Sequence, residues 1–342
     1  MKPTIIIDGS IFFFTIYLRS VSDYLFANDN ESINLRETMS QIKSRFQSAT
    51  SFADFRRSSR SFLKDQAIPI DFETLHQSIP FKQLFEKNVY KAIEKILRRE
   101  MRRWNENSYA KVYILKDTPI ANNWRRKRYP FYKAQRKPMD KYDPKVAQYF
   151  WNHTVPSMAV KYGIHSIEME ELEADDLAYL LKNALTLKEI TPISIITNDK
   201  DYLQLADSTT LIIKMNGEQM DTYEDDKAIK ILTGDTSDNI PPIFKRCGPK
   251  TAEKIIAAFK GPDAFLKSLK NSDFLFKNVA TFIYNKIKTK GFARMSRDSA
   301  SLTLENLAEN IKRNAELIDM TMIPQKYVEE FNRKVFRERR SV

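Results

Sequence analysis

Short runs of β-branched and other apolar residues alternate along this chain with helix-like patterns. The clearest runs are residues 4–7, 111–115, 164–167, 193–197 and 211–215. Each run has the length of one buried strand. Between them, residues 84–104 and the segment after Glu173 repeat apolar positions at helical spacing. This alternation predicts an α/β fold with a mostly parallel central sheet flanked by helices.

Aspartates follow three of the predicted strands: Asp8, Asp117 and Asp199, the last of these close to Asp201. The carboxyl ends of parallel strands meet at one edge of a sheet, and sites form at that edge. Several carboxylates at one edge would destabilise the fold unless cations neutralised them. The sequence therefore predicts a cation site there.

The stretch Glu173-Ala174-Asp175-Asp176 opens the helix that follows the third predicted strand. Acids in a first helical turn are explained either by the helix dipole or by a cation held between them, and this stretch alone leaves both open. The strand-end aspartates favour the cation. Asp235 and Asp238 add two acids on a later loop. Oxygen ligands without a His/Cys cluster predict Mg²⁺, with Mn²⁺ as an alternative, and two such ions can cleave a phosphodiester.

The charge balance indicates a polyanionic partner, since 56 Lys and Arg face 44 Asp and Glu, for a net charge of +12. A single cysteine, Cys247, excludes an internal disulfide. No apolar run approaches the ~20 residues of a membrane helix, and the start of the chain lacks signal-peptide features. We therefore expect a cytoplasmic protein with no membrane association.

Residues 124–141 are the most basic stretch. Asp140 is the one acidic residue in it. The eight basic residues are Arg125, Arg126, Lys127, Arg128, Lys133, Arg136, Lys137 and Lys141. Four aromatic residues are interleaved with them: Trp124, Tyr129, Phe131 and Tyr132. Charge for phosphates and flat rings for bases predict contact with single-stranded nucleic acid.

Beyond residue 224 the strand patterns stop and helical patterns take over. The turn Gly248-Pro249-Lys250-Thr251 resembles the second half of a helix-hairpin-helix, in which backbone N–H groups hold a phosphate without reading sequence. It is not a P-loop, because the preceding glycine spacing is absent. Residues 20–80 have weak periodicity, and we assign them no function.

In this order and spacing the motifs resemble the 5′-nuclease (flap endonuclease) family. That family includes the 5′-3′ exonuclease domain of bacterial DNA polymerase I and phage 5′-nucleases, among them the phage enzyme named ribonuclease H. The matching stretches are residues 7–9, 117, 173–176, 197–201 and 233–239, with 124–126 and 132–136 similar to the family's basic arch. The hairpin departs from the family's Gly-x-Gly, with Arg246-Cys247-Gly248 in its place.

The resemblance implies a PIN-like nuclease core over residues 1–222, with an insertion at about 20–80 and a basic helical arch at 124–160. A helix-hairpin-helix module would follow at 223–322, and a C-terminal helix and tail at 323–342.

The resemblance also implies roles for single residues. The first metal ion would be held by Asp8, Asp117, Glu173, Asp175 or Asp176, and Asp199. Asp201, Asp235 and Asp238 would lie toward a second. Lys133 and Arg125 would contact the scissile phosphate, so that with Asp8, Asp117 and Asp199 they form the predicted catalytic set. The further DNA contacts would be Arg126, Arg128, Tyr132, Arg136, Gly248, Lys250 and Thr251.

The expected function is a structure-specific 5′ nuclease, a two-metal 5′-3′ exonuclease and flap endonuclease of DNA replication or repair. Its substrates would be 5′ flaps and nicked or gapped duplexes, with RNA primers in RNA·DNA hybrids as a further one. A single-strand endoribonuclease is disfavoured by the Gly248 turn, and a non-enzymatic scaffold by the presence of every expected acid. We expect a monomer in a bacterial or phage-infected cell. A sliding clamp or single-strand-binding protein is a further predicted partner, although residues 325–331 are closer to a plain amphipathic helix than to a clamp-binding peptide.

Overall fold

A computed structural model describes residues 2–28, 72–136, 143–187, 192–220, 226–269, 273–287 and 303–337. Most of the predicted insertion, residues 29–71, lies outside the described residues, as do Lys137, Asp140 and Lys141. The helices and strands follow the predicted alternation. In chain order they are β1 (Thr4–Asp8), α1 (Gly9–Asn28), α2 (Ile79–Arg103), β2 (Lys111–Lys116), α3 (Trp124–Arg128), α4 (Pro144–Tyr149), α5 (Val155–Tyr162), β3 (Ile164–Glu168), α6 (Ala174–Thr186), β4 (Ile193–Ile196), β5 (Thr210–Ile213), α7 (Asp226–Thr233), α8 (Pro249–Ala258), α9 (Pro262–Ser268), α10 (Asp273–Ile287), α11 (Leu304–Ile318) and α12 (Gln325–Asn332).

Short 3₁₀ or π turns complete the regular structure. They are Phe72–Gln77, Ile120–Asn122, Phe150–Thr154, Lys200–Leu205, Met320–Met322 and Arg333–Arg337. Within the described residues, no helix is long and apolar enough to cross a membrane.

The chain divides into two compact units that interleave along the sequence. The first comprises Met1–Asp117, Pro138–Met169 and Leu181–Asp221, and the second comprises Thr118–Lys137, Glu170–Leu180 and Thr222–Val342. The sequence instead predicted continuous domains. The last segment of the second unit begins at Thr222, and the domain bounds that the resemblance implies stay predictions.

The first unit contains a five-stranded sheet in the order β3-β2-β1-β4-β5, and every neighbouring pair is parallel. Strand β1 is central: Thr4 lies opposite Lys111 of β2 on one side and Ile193 of β4 on the other. Its apolar residues Ile5, Ile6 and Ile7 are fully buried. A strand buried on both faces reads as a continuous apolar run, which is why the sequence predicted it. The predicted α/β fold is confirmed.

Aromatic side chains fill the core beside this sheet. The rings of Phe13 and Phe150 are 5.3 Å apart between centroids, and Phe85 of α2 packs on both. Helix α2 buries one face at 3.6-residue spacing, and the Ser78 hydroxyl caps it by accepting from the Phe81 amide at 3.2 Å. These contacts hold α1, which follows β1, and α2, which precedes β2.

Gly9 joins β1 to α1 at a point where no side chain fits. A Cβ atom there would lie 2.3 Å from the Leu115 carbonyl oxygen. The chain after β1 therefore passes directly against β2, two residues before Asp117. The glycine thus brings the end of β1 and the end of β2 together.

The second unit is helical around its own core. Ile231 of α7, Ile255 of α8, Phe265 of α9 and Ile311 of α11 are at most 2% exposed. Cys247 lies in the same core, and burial raises the pKa of its thiol to about 12. The helical character predicted beyond residue 224 is confirmed, and the assignment of a helix-hairpin-helix stays a prediction.

Candidate active site

Three aspartates of the first unit lie at one edge of its sheet. Asp8 is the last residue of β1, Asp117 follows β2 directly, and Asp199 comes three residues after β4. Since β1 pairs with both β2 and β4 in parallel register, the three strands end side by side. The predicted convergence of these acids within the first unit is what the register produces.

Asp8 is the most perturbed carboxyl group at this edge. It is 5% exposed, and it accepts hydrogen bonds from the Ile11 amide at 3.1 Å and the Thr197 hydroxyl at 2.9 Å. Burial raises the pKa of Asp8 to about 7, and the charges of Asp117 and Asp199 add to the rise. The two hydrogen bonds oppose it without cancelling it. Asp8 therefore lies in a negative, partly dehydrated environment that a cation would relieve.

Two hydroxyl groups hold the neighbouring acids, a role not expected of either from the sequence. The Thr197 hydroxyl accepts from the Asp199 amide at 3.1 Å while it donates to Asp8. Ser10 donates from its hydroxyl to Asp117. Because α1 begins at Gly9, Ser10 lies inside the helix and does not cap it, so its hydroxyl is available for this contact. Ser10 lies two residues after Asp8 and Thr197 two residues before Asp199. This closeness in sequence is the signal from which their roles could have been inferred.

Asp199 and Asp201 are joined through the turn that follows β4. The Asp199 carboxylate caps that turn by accepting from the Asp201 amide at 2.9 Å. This places Asp201 in the first turn, two residues beyond the cap. The short Asp-x-Asp spacing thus keeps both carboxylates next to the sheet edge.

Glu173 lies in the second unit and is neutralised by side chains of the chain itself. Its carboxylate accepts from Lys133 Nζ at 2.5 Å, from Arg125 Nη1 at 3.2 Å and from the Tyr132 hydroxyl at 2.8 Å. Burial acts to raise the pKa of Glu173, but Lys133 and Arg125 hold it at about 2. Glu173 is therefore ionised across the whole range in which the protein would work.

Arg125 has an interior position that differs from the predicted one. It is 2% exposed, and its guanidinium donates to Asp176 through Nη1 at 2.8 Å and Nη2 at 2.7 Å, and to the Leu317 carbonyl through Nε at 3.0 Å. The family resemblance implied that Arg125 contacts the scissile phosphate. The structure buries it because the fully buried Asp176 needs a counter-charge, so Arg125 supports the acids instead of facing solvent.

Asp175 and Asp176 have opposite surroundings, which bears on the alternative that the sequence left open. Both oxygens of Asp176 accept from Arg125, whereas the Asp175 side chain is 23% exposed and 3.7 Å from Arg125 Nη1. Burial raises the pKa of Asp175, and Asp176 and Glu173 raise it further against the effect of Arg125. Asp175 is thus the better placed of the two to take up a cation.

Asp238 and Asp235 also meet cations within the second unit. Asp238 accepts from Arg136 Nη2 at 2.8 Å and from the Tyr132 hydroxyl at 3.1 Å. Asp235 accepts from the Ser237 amide at 2.8 Å and lies 3.3 Å from Lys230 Nζ. Burial opposes these contacts, but together they lower the pKa of Asp235. Both acids, predicted as ligands of a second metal ion, already have a positive partner.

The basic stretch is less exposed than its composition suggested. Trp124 and Tyr132 are 5% and 2% exposed, so two of the four aromatic residues belong to the interior. Tyr132, predicted to contact DNA, lies in the core of the second unit, where its hydroxyl bonds Glu173 and Asp238. Arg128 is paired with Glu309 at 2.7 Å and Glu316 at 2.5 Å, and Arg126 is half-buried.

Lys133 and Arg136 lie in a turn that faces Asp238. The Lys133 side chain is 11% exposed and its backbone has φ 53°, while the Arg136 side chain is 48% exposed. The Lys133 amide donates to the Asp238 carbonyl at 2.8 Å. Lys133 is therefore fixed at its backbone as well as at its ammonium group.

Helix α8 begins at Pro249, directly after Gly248. Gly248 precedes it with φ −95°, and a Cβ atom there would meet nothing within 4 Å. Neither backbone conformation nor space requires a glycine at this position. Lys250 is exposed and Thr251 is half-buried on the first turn.

The carboxylate groups are the candidate metal ligands among the described residues. Among the residues that the structure describes, no three His, Cys, Asp or Glu side chains are arranged to hold an ion between them. The oxygen donors of Asp8, Asp117 and Asp199 nevertheless fit a hard divalent cation, which would offset the burial and the neighbouring negative charges that raise the pKa of Asp8.

The sequence also matches known proteins. Residues 76–232 match the family described as 5′-3′ exonuclease, N-terminal resolvase-like domain. DNA polymerase I of Lactococcus lactis subsp. cremoris is 28% identical over 193 residues, which cover 52% of this chain and 20% of that protein. The 5′-3′ exonuclease of Halalkalibacterium halodurans is 26% identical over 215 residues, which cover 58% of this chain and 67% of that protein.

A solved structure of T5 5′-exonuclease aligns with 98% of this chain and 99% of its own, at 13% identity and a TM-score of 0.49. The chain spans about a fifth of the length of the DNA polymerase I proteins that it matches. The family resemblance seen in the motifs is thus confirmed over residues 76–232, which match the N-terminal resolvase-like domain of the 5′-3′ exonucleases.

Proposed function

We propose that this protein is a divalent-metal-dependent 5′ nuclease of DNA, acting as a 5′-3′ exonuclease and flap endonuclease. The observation that carries the proposal is Asp8, a buried carboxyl group whose pKa is raised to about 7 by burial and by Asp117 and Asp199 at one sheet edge. Such a cluster is unfavourable by itself and is relieved by a bound cation. The match of residues 76–232 to the exonuclease domain supports the same reading.

The residues that would hold Mg²⁺ in the first unit are Asp8, Asp117, Asp199 and Asp201. Bound ions would supply an activated water and stabilise the leaving oxygen of the phosphodiester. Thr197 and Ser10 orient these acids through the hydrogen bonds described above. In the second unit Asp175 is the favoured ligand. The proposed ligand roles of Glu173, Asp176, Asp235 and Asp238 would require their present cationic partners to be displaced or shared.

The chain's own cations would bind the DNA. Lys133 and Arg136 present positive charge in one fixed turn, and Arg126 and Arg128 precede it. Gly248, Lys250 and Thr251 would hold a duplex phosphate at the N-terminus of α8. Arg125 and Tyr132 would act indirectly, by holding Glu173, Asp176 and Asp238 in place. None of these contacts reads a base, so cleavage would have no sequence preference.

The finer assignments are also proposals: removal of RNA primers from hybrids, a role in replication or repair, a monomeric state and a clamp or single-strand-binding partner. For the clamp, Tyr327 and Phe331 of α12 are 4% and 1% exposed. A clamp-binding peptide needs such aromatic residues at its surface, so the burial favours the plain amphipathic helix.

One digestion series tests the proposal. Substrates labelled at the 5′ end would be a 5′ flap, a nick, single-stranded DNA, single-stranded RNA and an RNA·DNA hybrid, each with Mg²⁺ or with EDTA. We expect Mg²⁺-dependent release of short labelled products from the DNA substrates. Asp8→Asn and Asp201→Asn should lose cleavage while binding flap DNA nearly as before. Asp207→Asn is the matched control, since this aspartate pairs with Lys182 at 2.5 Å and should be dispensable for cleavage.

Two results would contradict the proposal. Cleavage at the normal rate by Asp8→Asn would show that the sheet-edge acids do not form the active site. Preferential cleavage of single-stranded RNA would favour the endoribonuclease alternative.

A further inference from the structure

Phe131 is set apart from the other aromatic residues of its stretch by its exposure. Its side chain is 62% exposed, whereas Trp124 and Tyr132 are buried and Tyr129 is half-buried. A single exposed apolar residue needs no explanation by itself. What distinguishes Phe131 is how firmly the chain holds it in that position.

The backbone and one side of the Phe131 ring are supported. The Phe131 carbonyl accepts from the Ala134 amide at 3.0 Å and from Asn239 Nδ2 at 2.8 Å. Its ring centroid lies 5.6 Å from that of Tyr129, at an interplanar angle of 59°. The Arg313 guanidinium lies 5.2 Å from the centre of the Tyr129 ring. The ring is thus backed by protein while most of it faces water.

The turn that carries Phe131 is held at a cost in backbone energy. Lys133 and Asn239 have φ 53° and 59°, in the left-handed region that costs a non-glycine residue about 1–3 kcal/mol. Both take part in contacts between the turn and residues 236–239. Gln135 adds two more by donating to the carbonyls of Thr236 at 3.1 Å and Ser237 at 2.9 Å. The surroundings therefore fix one conformation of this turn.

The charge around the ring selects the ligand. Of the six cations among residues 124–136, Arg125 is buried and Arg128 is paired with Glu309 and Glu316. The side chains of Lys127 and Arg136 are 57% and 48% exposed, and Arg136 lies in the same turn as the ring. A flat ring in a basic segment is suited to a nucleobase whose phosphates remain near the cations. A base inside a duplex is already stacked, so the ligand must be an unpaired base.

We propose that Phe131 is a stacking platform for an unpaired base in the single-stranded tail of a DNA substrate. The inference rests on the proposed function and adds the residue that grips the tail. Because every base has a flat face, the contact adds affinity for a tail without sequence preference. Because the ring is fixed before binding, little conformational entropy is lost when the base stacks.

The test measures binding without cleavage. Dissociation constants would be obtained in EDTA, by fluorescence anisotropy, for a duplex with a 5′ single-stranded tail and for the same duplex without it. Phe131→Leu keeps an apolar side chain but loses the flat ring, and Phe131→Trp keeps a ring whose emission reports stacking. Leu187→Ala is the matched control, because Leu187 is 86% exposed, lies in the other unit and belongs to no proposed site. Circular dichroism would confirm that each variant is folded.

We expect Phe131→Leu to weaken binding of the tailed duplex at least fivefold and to leave the untailed duplex unchanged. Phe131→Trp should bind as the wild type does, and the tail should quench its emission. Wild-type affinity of Phe131→Leu for the tailed duplex would overturn the stacking role and leave the proposed function intact. Failure of the wild-type protein to bind either duplex would overturn the proposed function, and the stacking role with it.

Discussion

Arg125 and Asp176 form a buried two-point ion pair, with Nη1–Oδ2 and Nη2–Oδ1 distances of 2.8 and 2.7 Å. Asp176 is fully buried and Arg125 is 2% exposed, so each is the other's main compensation for lost hydration. Removing one partner would leave a buried charge without its counter-charge. Such pairs contribute less to stability than their breakage costs.

Arg125→Met should therefore destabilise the protein by about 3–5 kcal/mol, measured as the free energy of unfolding in urea. The double variant Arg125→Met/Asp176→Leu should lose less than the single one, because neither charge of this pair remains buried and Glu173 keeps Lys133 as its counter-charge. Arg98→Ala is the control: that side chain is 62% exposed, 3.6 Å from Glu94, and should change stability by at most about 1 kcal/mol. A double variant less stable than the single one would contradict this account.

Asp8 should make the metal-free protein less stable as pH rises. Its pKa is about 7 in the folded state and near 3.8 when unfolded, so the folded state binds the extra proton between those values. Stability is then lost with rising pH at no more than about 1.4 kcal/mol per pH unit across that window. In EDTA, Asp8→Asn should remove this dependence and be the more stable protein at pH 8. Urea titrations from pH 4 to 8 would measure the difference.

Two comparisons accompany that experiment. Mg²⁺ should stabilise the wild type more than Asp8→Asn, since a ligand that binds only the folded state adds stability. The pKa of Asp207 is shifted in the opposite direction to that of Asp8. Burial acts to raise it, but Lys182 and Thr209 lower it to about 2. Asp207→Asn should therefore be the less stable protein near pH 6, and its deficit should shrink as pH falls toward 2. Equal slopes for the two variants would refute the assignment.

Lys133 combines a functional side chain with a strained backbone, and two substitutions separate them. Lys133→Ala and Lys133→Gly both remove the ammonium group, and both should lower the rate of flap cleavage more than the affinity for flap DNA. Only glycine accepts φ 53° without strain, so Lys133→Gly should be the more stable of the two by about 1 kcal/mol. Single-turnover rates, dissociation constants and urea unfolding would be compared. A loss of affinity alone would reduce Lys133 to a phosphate anchor.

Gly234 and Gly248 should respond differently to alanine. Gly234 has φ +74°, and a Cβ atom would lie 2.2 Å from the Ile240 carbonyl oxygen, so Gly234→Ala should destabilise the second unit strongly. Gly248→Ala should leave the melting temperature nearly unchanged, because the site is open and φ is −95°. If that helix start holds a phosphate, Gly248→Ala should weaken binding of untailed duplex. Unchanged duplex affinity would remove the glycine from the proposed interface.

The sheet and its acids could be predicted because their causes are local. Runs such as Ile5-Ile6-Ile7 are buried on both faces, and a parallel register places whatever follows them at one edge. That Arg125 is buried and Phe131 is exposed could not be predicted. Both lie in one basic, aromatic stretch, and which of them is buried depends on partners distant in sequence: Asp176 for Arg125, and Asn239 for the turn of Phe131. Composition describes a segment, whereas burial is decided residue by residue.

Cys247 has a practical consequence for probing this molecule. The chain carries one cysteine, which is 3% exposed and whose pKa is raised to about 12, so almost none of it is thiolate at neutral pH. Maleimide reagents react with the thiolate and need access to it. The native protein should therefore resist them, and a cysteine introduced at a surface position would be labelled alone. A spectroscopic probe could then be attached beside the basic turn without first removing the natural thiol.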